Sequence, residues 1–530
     1  MEYTKRWDKR LPLLFLVPLF LYYSYFCGQY PTFILPNAWL AADQAIALYE
    51  RKELNIDDDT RQLGWGRSPD TVRANGKIYP NKFPGASLCL FFVAPLVDAL
   101  TPGTITAHQL LYLGRVLVLT LPFIIFLYCL GRRLEKMVPS PAAWGLVLCY
   151  ALGTNASVYA VDYFSHNLAA MAYGAAFLIL WWENPKPKHL ILAGLASGFG
   201  VLIEFSSLVI PLALALLIVI TRGKNDRLKS LFLFFLGVIP SVIVLLLYNY
   251  KCFGNPFSLP YDLTLSQKAH RTFISCLSYP KLKALFGILL SPARGLFYQS
   301  PWLLAVLPSL FFIRRASLVD RSFLITAVSV SLLQSLIISS YTGWPGGWGV
   351  GPRYLTVCLP FLLFPIAVLI RHLKKKWLSV FLTVFIAAAI VSIIEHAFIL
   401  ISVDYHPSFR QNLSTNYIKD LALPFLAKGY SAYTVVNFFG GSVELSRSLF
   451  ALLLSLALGT YAMLVWKKAS SESKKVICAG SVLGIALFGL WLQTGVKNPE
   501  LQARIISYVL QRNYFDNSQV HRYSFWNKGG

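Results

Sequence analysis

The chain is expected to fold as an all-α, polytopic membrane protein, and three observations carry that expectation. Of its 530 residues, 56% are hydrophobic and only 14% charged, whereas ordinary soluble domains carry about 25% charged residues. Apolar runs long enough to cross a bilayer, about 20 residues each, recur along most of the sequence. Short basic clusters separate them on alternate connections, the orientation signal of the positive-inside rule. The same spacing accounts for the net charge of +24. Basic residues spread between apolar runs do not form the single patch that nucleic acid requires, so no nucleic-acid partner is expected.

The first apolar run, 11–27, follows Lys5-Arg6 and Lys9-Arg10 and ends in Tyr-Ser-Tyr-Phe-Cys. It lacks a small-x-small cleavage site and closes in an aromatic interface belt, so it reads as an uncleaved first span. The next runs are 109–130, 142–160, 165–182, 189–203, 205–221 and 230–249. They are followed by 300–313, 322–341, 354–370, 377–402, 446–466 and 476–494, for about thirteen spans in all. Arg132-Arg133, Lys186 with Lys188, Arg222 to Lys229, Arg314-Arg315, Arg371 to Lys376 and Lys467-Lys468 all fall on the side that holds the N-terminus. That side is expected to be cytoplasmic, in a plasma (inner) membrane. The long connections 28–108, 250–299, 342–353 and 403–445 then lie outside, as does a C-terminal tail, 495–530, beyond a single membrane domain 1–494. Within the first loop, 88–100 is interrupted by Pro95 and Asp98 and reads as a juxtamembrane helix.

Polar chemistry belongs on that outer face, because an unpaired charge inside hydrocarbon costs roughly 2.5 kcal/mol or more. Stretch 35–50 reads as a helix begun by Pro36-Asn37. It places Asp43 one turn from Trp39, a carboxylate beside an indole, which suits a general base next to a sugar-stacking ring. Asp57-Asp58-Asp59 is an acidic turn that leaves a divalent cation open; no other cofactor is expected. Asn75-Gly76 signals a tight hairpin, after which Lys82 meets the membrane surface where a lipid phosphate would lie. Asp162 and His166 stand one helical turn apart, and Glu204 breaks two apolar runs. An ionisable group at such depth is a functional candidate.

Two segments combine arginine with Gly or Pro at the outer boundary. Ser291-Pro-Ala-Arg294-Gly-Leu-Phe-Tyr298-Gln-Ser-Pro301 is one. Tyr341-Thr-Gly-Trp344-Pro-Gly-Gly-Trp348-Gly-Val-Gly-Pro-Arg353-Tyr354 is the other. Glycine lets backbone approach a ligand closely, and a guanidinium fork matches phosphate oxygens. The eight cysteines are scattered without CxxC spacing. Cys252 and Cys276 share one predicted outer loop and could pair, although free buried thiols are the commoner outcome for such scattered cysteines.

Taken together, the long first outer loop, Gly76-x-x-Tyr79-x-x-Lys82-x-Pro84-Gly85, Ser165-His166, Ser291-Pro-x-Arg294-Gly-Leu, Tyr298-x-Ser-Pro301 and Gly351-Pro-Arg353-Tyr354 resemble the GT-C glycosyltransferases. The likeness is to the protein O-mannosyltransferase-like and aminoarabinose-transferase-like bacterial enzymes in particular. The resemblance implies a GT-C-like helical bundle and transfer of a sugar from a polyprenyl-phosphate donor to an outer lipid, glycan or protein acceptor, usually with inversion. It also implies a carboxylate base early in the first outer loop. Here the acid comes later than in that pattern, in Pro36-Asn-Ala-Trp-Leu-Ala-Ala-Asp43. Asp43 is therefore the first choice for the base, with Asp162 and Glu204 in reserve, and a catalytically inactive lipid-binding relative remains a reading. Trp39, Lys82, His166, Arg294, Tyr298, Trp344, Trp348, Arg353 and Tyr354 are the expected substrate contacts. No phosphate-cradling nucleotide loop appears, which suits a lipid-linked donor. The rival class is a transporter or flippase of a lipid-linked saccharide. Transporters commonly show related halves, and the Gly/Pro-rich segments here do not pair between halves.

Overall fold

The computed structural model describes residues 7–27, 36–56, 70–101, 103, 105–182, 185–269, 274–347, 349–402 and 413–494. Trp348, the Asp57–Asp59 turn, part of the late outer loop and the C-terminal tail lie outside them. The described chain is mostly helical. Seven helices are long and apolar enough to cross a membrane: Ala107–Leu134, Arg227–Phe253, Leu318–Ser340, Arg353–His372, Lys375–Ser402, Val443–Lys468 and Ser471–Trp491. Shorter apolar helices are Leu13–Tyr25, Gly85–Leu100, Ser140–Leu152, Ser165–Leu180, Pro187–Ile203 and Phe205–Thr221.

Three expectations are corrected. Run 300–313 is not a regular span. It breaks into tight turns at Pro301–Ala305 and Leu310–Arg315 around one turn of α-helix, Val306–Ser309, with Pro308 inside the run withholding an amide that a continuous ladder needs. Run 142–160 ends as a helix at Leu152, where the Gly153 amide closes the last turn on the Cys149 carbonyl. The fold is also not purely helical. Strands β1 (Thr71–Ala74) and β2 (Lys77–Pro80) form an antiparallel hairpin, with Asn75 and Gly76 both at positive φ, 52° and 75°. That turn matches the right-handed twist of the strands, as Asn75-Gly76 signals.

The first loop packs onto helix ends at one end of the bundle. Val72 and Tyr79 of the hairpin form a small core with Tyr248 and Cys252 at the end of Arg227–Phe253. From the helix Pro36–Ile46, the Gln44 amide donates to the Tyr248 hydroxyl at 2.9 Å. Ahead of Gly85–Leu100, a side chain on Gly85 would meet the Leu202 carbonyl at 2.6 Å. Basic clusters gather at the other end. There Trp7 donates its amide to Ser140, Arg132 pairs with Glu135 at 2.6 Å and Lys375 pairs with Glu472 at 3.0 Å.

The most extensive helix contact joins Pro187–Ile203 to Arg227–Phe253. Gly194 and Gly198 on the first face Gly237 and Ser241 on the second, a small-x-x-x-small crossing that brings backbones together. A Cβ on Gly237 would lie 2.0 Å from the Ile191 carbonyl oxygen, so Gly237→Ala is expected to overpack the crossing and cost about 1–3 kcal/mol. Gly459→Ala, where a Cβ meets nothing within 4 Å, serves as the control. The first substitution should lower the melting midpoint in detergent while the control leaves or raises it. Equal midpoints would mean the crossing tolerates separation.

Candidate active site

At the loop end of the bundle, eight stretches of the chain enclose a cavity of about 1080 Å³ counting its open mouth. Glu204 is part of its wall. The helix Pro187–Ile203 stops there, and extended backbone at φ −144° and ψ 94° turns the chain into the next apolar helix. The carboxylate is held on both oxygens. His166 Nδ1 lies 3.1 Å from Oε2, Ser165 Oγ donates to Oε2 at 2.7 Å, and Ser206 Oγ donates to Oε1 at 2.7 Å. Burial alone would raise this carboxyl, but attraction to His166 and the hydrogen bonds from His166, Ser206 and Ser165 hold it well below the usual carboxylate range. Ser165 and His166 reach it because they open the helix Ser165–Leu180.

Two cations share the cavity with that pair. The Arg353 guanidinium lies 5.6 Å from the Phe164 ring centre and 5.2 Å from that of Tyr354, and Nη2 donates to the Tyr354 hydroxyl at 3.4 Å. Aromatic faces fix a cation without neutralising it. The glycine loop before it wraps the side chain closely. Gly346 and Gly347 have φ of 72° and 63°, and a Cβ on Gly346 would come within 3.0 Å of Arg353 Nε, so glycine is required there for both conformation and space. Lys82, just after the hairpin, lies 3.7 Å from Asp70 Oδ1 and 5.6 Å from the Tyr261 ring centre. Tyr261 and Tyr341 join hydroxyls across the same wall. Leu40, Ala41, Phe83, Ile203, Ile337 and Ile338 supply the apolar remainder. The arrangement therefore offers a fixed carboxylate–imidazole pair, two cations and an apolar flank, which suits an amphiphilic phosphate ester.

The structure brings together Lys82, His166, Glu204, Arg353 and Tyr354 of the expected site residues. It does not bring Asp43 there. Asn37, Leu40 and Ala41 present one face of Pro36–Ile46 to the cavity, and Asp43, 2% exposed, sits about a third of a turn away at 100° per residue. Trp39 lies on that further side too, edge-on to His108 with centroids 5.8 Å apart. Asp162 is fully buried and also off the cavity wall. Arg294 is buried behind it, donating Nη2 to the Gly347 carbonyl at 3.3 Å, and burial lowers its pKa to about 10. Arg294 thus braces the glycine loop from behind. Tyr298 packs tilted on Trp491, ring centres 3.8 Å apart, and accepts from Asn416, and Trp344 covers Gly287; neither lines the cavity.

Sequence reasoning missed Ser206, Asp70 and Tyr261. Only the Glu-Phe-Ser-Ser run at 204–207, with hydroxyls directly after an acid in an apolar context, carried a readable signal. Among the described residues no group of three or more His, Cys, Asp or Glu side chains could hold a metal ion.

No family model matches the chain, and no curated protein matches it. Among solved structures it is similar to ArnT from Cupriavidus metallidurans bound to undecaprenyl phosphate, at 16% sequence identity over 91% of this chain and 76% of that one, with a TM-score of 0.49. It is also similar to the archaeal oligosaccharyltransferase AglB from Archaeoglobus fulgidus in complex with an inhibitory peptide and a dolichol-phosphate. There the identity is 10% over 98% of this chain and 60% of that one, with a TM-score of 0.44.

Proposed function

We propose that the protein is a GT-C-type membrane glycosyltransferase that moves a sugar from a polyprenyl-phosphate donor to an acceptor on the extracytoplasmic face. The observation that carries this reading is the meeting of the Glu204–His166 pair with Arg353 and Lys82 in one cavity flanked by apolar side chains. The prenyl chain would lie along Ile337, Ile338 and their neighbours, with the phosphate against Arg353 and Lys82. The sugar then sits between the cations and the imidazole.

In this reading an acceptor hydroxyl or amine attacks the anomeric carbon while the bond from that carbon to the phosphate oxygen breaks. The electron pair leaves with the polyprenyl phosphate, where Arg353 and Lys82 meet the developing charge. The acceptor proton passes to His166. Its Nδ1 is engaged by Glu204, so Nε2 is the nitrogen left to receive it. Glu204 thus acts through His166 as a positioning group and stabilises the imidazolium, and it replaces Asp43 as the acid of the site. A single displacement of this kind inverts the anomeric centre.

The test is turnover by the purified protein in liposomes containing a polyprenyl-phosphate sugar and an envelope extract as acceptor. Release of prenyl phosphate should require the acceptor and be lost in His166→Gln. Release that is the same in that variant would remove the imidazole from the mechanism.

A further inference from the structure

At the opposite, basic end of the bundle lies a second cavity, about 1420 Å³ counting its open side. It is separate from the first. The helix Ser165–Leu180 has His166 at one cavity and Leu180 at the other, about 21 Å apart at 1.5 Å per residue. Five basic side chains line it, Arg133, Lys136, Arg222, Arg315 and Arg371, against one described acid, Asp320; Glu183, nearby in sequence, lies outside the described residues. Asp320 is already engaged by neutral donors, Trp181 Nε1 at 2.8 Å and Ser317 Oγ at 2.8 Å.

Basic residues at helix C-termini have an ordinary use, since they meet free carbonyls and the helix dipole. Arg315 does this in part, donating to the His372 carbonyl at 3.5 Å. That use calls for cations splayed at separate helix ends. Here they converge from three helix ends and the turn before Leu318–Ser340. Aromatic faces aim several of them. Arg133 lies 4.6 Å from the Trp181 ring centre, with Trp181 stacked flat on Phe323 at 4.7 Å, and Arg315 lies 4.9 Å from that of Phe312. Arg222 Nε is buried with no hydrogen-bond partner among the described residues. Arg222, which Asp226 also attracts, stands with Arg315 and Arg371 in a partly desolvated pocket, and like charges so placed favour the entry of an anion. Beside them the wall is apolar, with Met137, Leu180 and Val368. Basic pockets between membrane helices on the cytoplasmic side bind anionic lipid headgroups by this chemistry.

We propose that this cavity binds a phosphate-bearing headgroup, that of an anionic lipid in the leaflet at the basic end, with the acyl chains along the apolar wall. The test is native mass spectrometry of the detergent-purified protein titrated with phosphatidylglycerol, with phosphatidylcholine and, separately, with inorganic pyrophosphate. Arg222→Gln/Arg371→Gln shortens both side chains but leaves each a polar amide while removing two charges. Arg315→Gln, on an exposed turn, carries the test if the double variant does not fold. Phosphatidylglycerol is expected to bind tightly and phosphatidylcholine weakly, with affinity for the former falling roughly tenfold or more per arginine removed. Arginine-dependent binding of pyrophosphate without phosphatidylglycerol would keep the phosphate chemistry and overturn the lipid source. Equal phosphatidylglycerol binding by parent and variants, or equal binding of the two lipids, would overturn the proposal.

Discussion

Replacing Glu204 by glutamine is expected to lower sugar transfer by roughly 10²–10⁴-fold while donor binding survives, the range for loss of a general acid–base function. Glutamine keeps the shape of the side chain but not its charge or its acceptors. Oε2 now accepts from both His166 and Ser165. An amide NH₂ in that place would face two donors, and an amide oxygen there would no longer stabilise the imidazolium. The same substitution changes the pH dependence of stability. A carboxyl whose folded pKa is depressed contributes stability that is present above its unfolded pKa of about 4.3 and lost as pH falls below it. Melting midpoints measured from pH 7 down to pH 3 should therefore fall less steeply for Glu204→Gln than for the parent. Asp43→Asn, off the cavity wall, is expected to transfer at close to the parental rate. Were Asp43→Asn the inactive variant and Glu204→Gln the active one, the base would have to be reassigned.

Arg353→Ala is expected to weaken binding of a polyprenyl-phosphate sugar by roughly 10–100-fold, since hydrogen bonds to charged groups contribute about 1.5–3 kcal/mol. The loss should be larger than for Lys82→Ala. Lys82 is shared with Asp70 and its side chain is 40% exposed, so water screens it, whereas Arg353 is clasped between two rings and the glycine loop. Arg353→Lys should recover only part of the affinity, because the bidentate fork is lost while the charge remains. Full recovery in the lysine variant would mean that charge alone matters at this position. An alanine variant that binds as well as the parent would remove Arg353 from the donor site.

Much of the helical plan was legible because hydropathy at span length is a local signal, and so was the hairpin, since Asn75-Gly76 sets its own turn. The broken run 300–313 was not, because mean hydropathy is blind to where Pro308 interrupts a hydrogen-bond ladder. The crossing of Gly194 and Gly198 with Gly237 and Ser241 was readable in principle as two small-x-x-x-small pairs; only tertiary structure shows that they face each other. At the site, Arg353 stood out by its glycine frame and Lys82 by its place after the hairpin. Asp43 and Glu204 could not be ranked from sequence, because the choice depends on which helix face meets the cavity. Arg294 looked equivalent to Arg353 in its Gly/Pro setting, yet its side chain turns to the Gly347 carbonyl and stays behind the wall. Tyr298 and Trp344 were likewise drawn off by ring partners far away in sequence or by close glycine packing.

Whether the cavity holding Glu204, His166, Lys82 and Arg353 receives a polyprenyl-phosphate sugar is read by equilibrium binding of such a donor to the purified protein in nanodiscs, competed with the unglycosylated prenyl phosphate. Binding is expected to saturate at one site per chain, to be displaced by the prenyl phosphate, to weaken in Arg353→Ala and to survive in Glu204→Gln. Binding that is absent in the parent, or unchanged in a folded Arg353→Ala/Lys82→Ala variant, would contradict it.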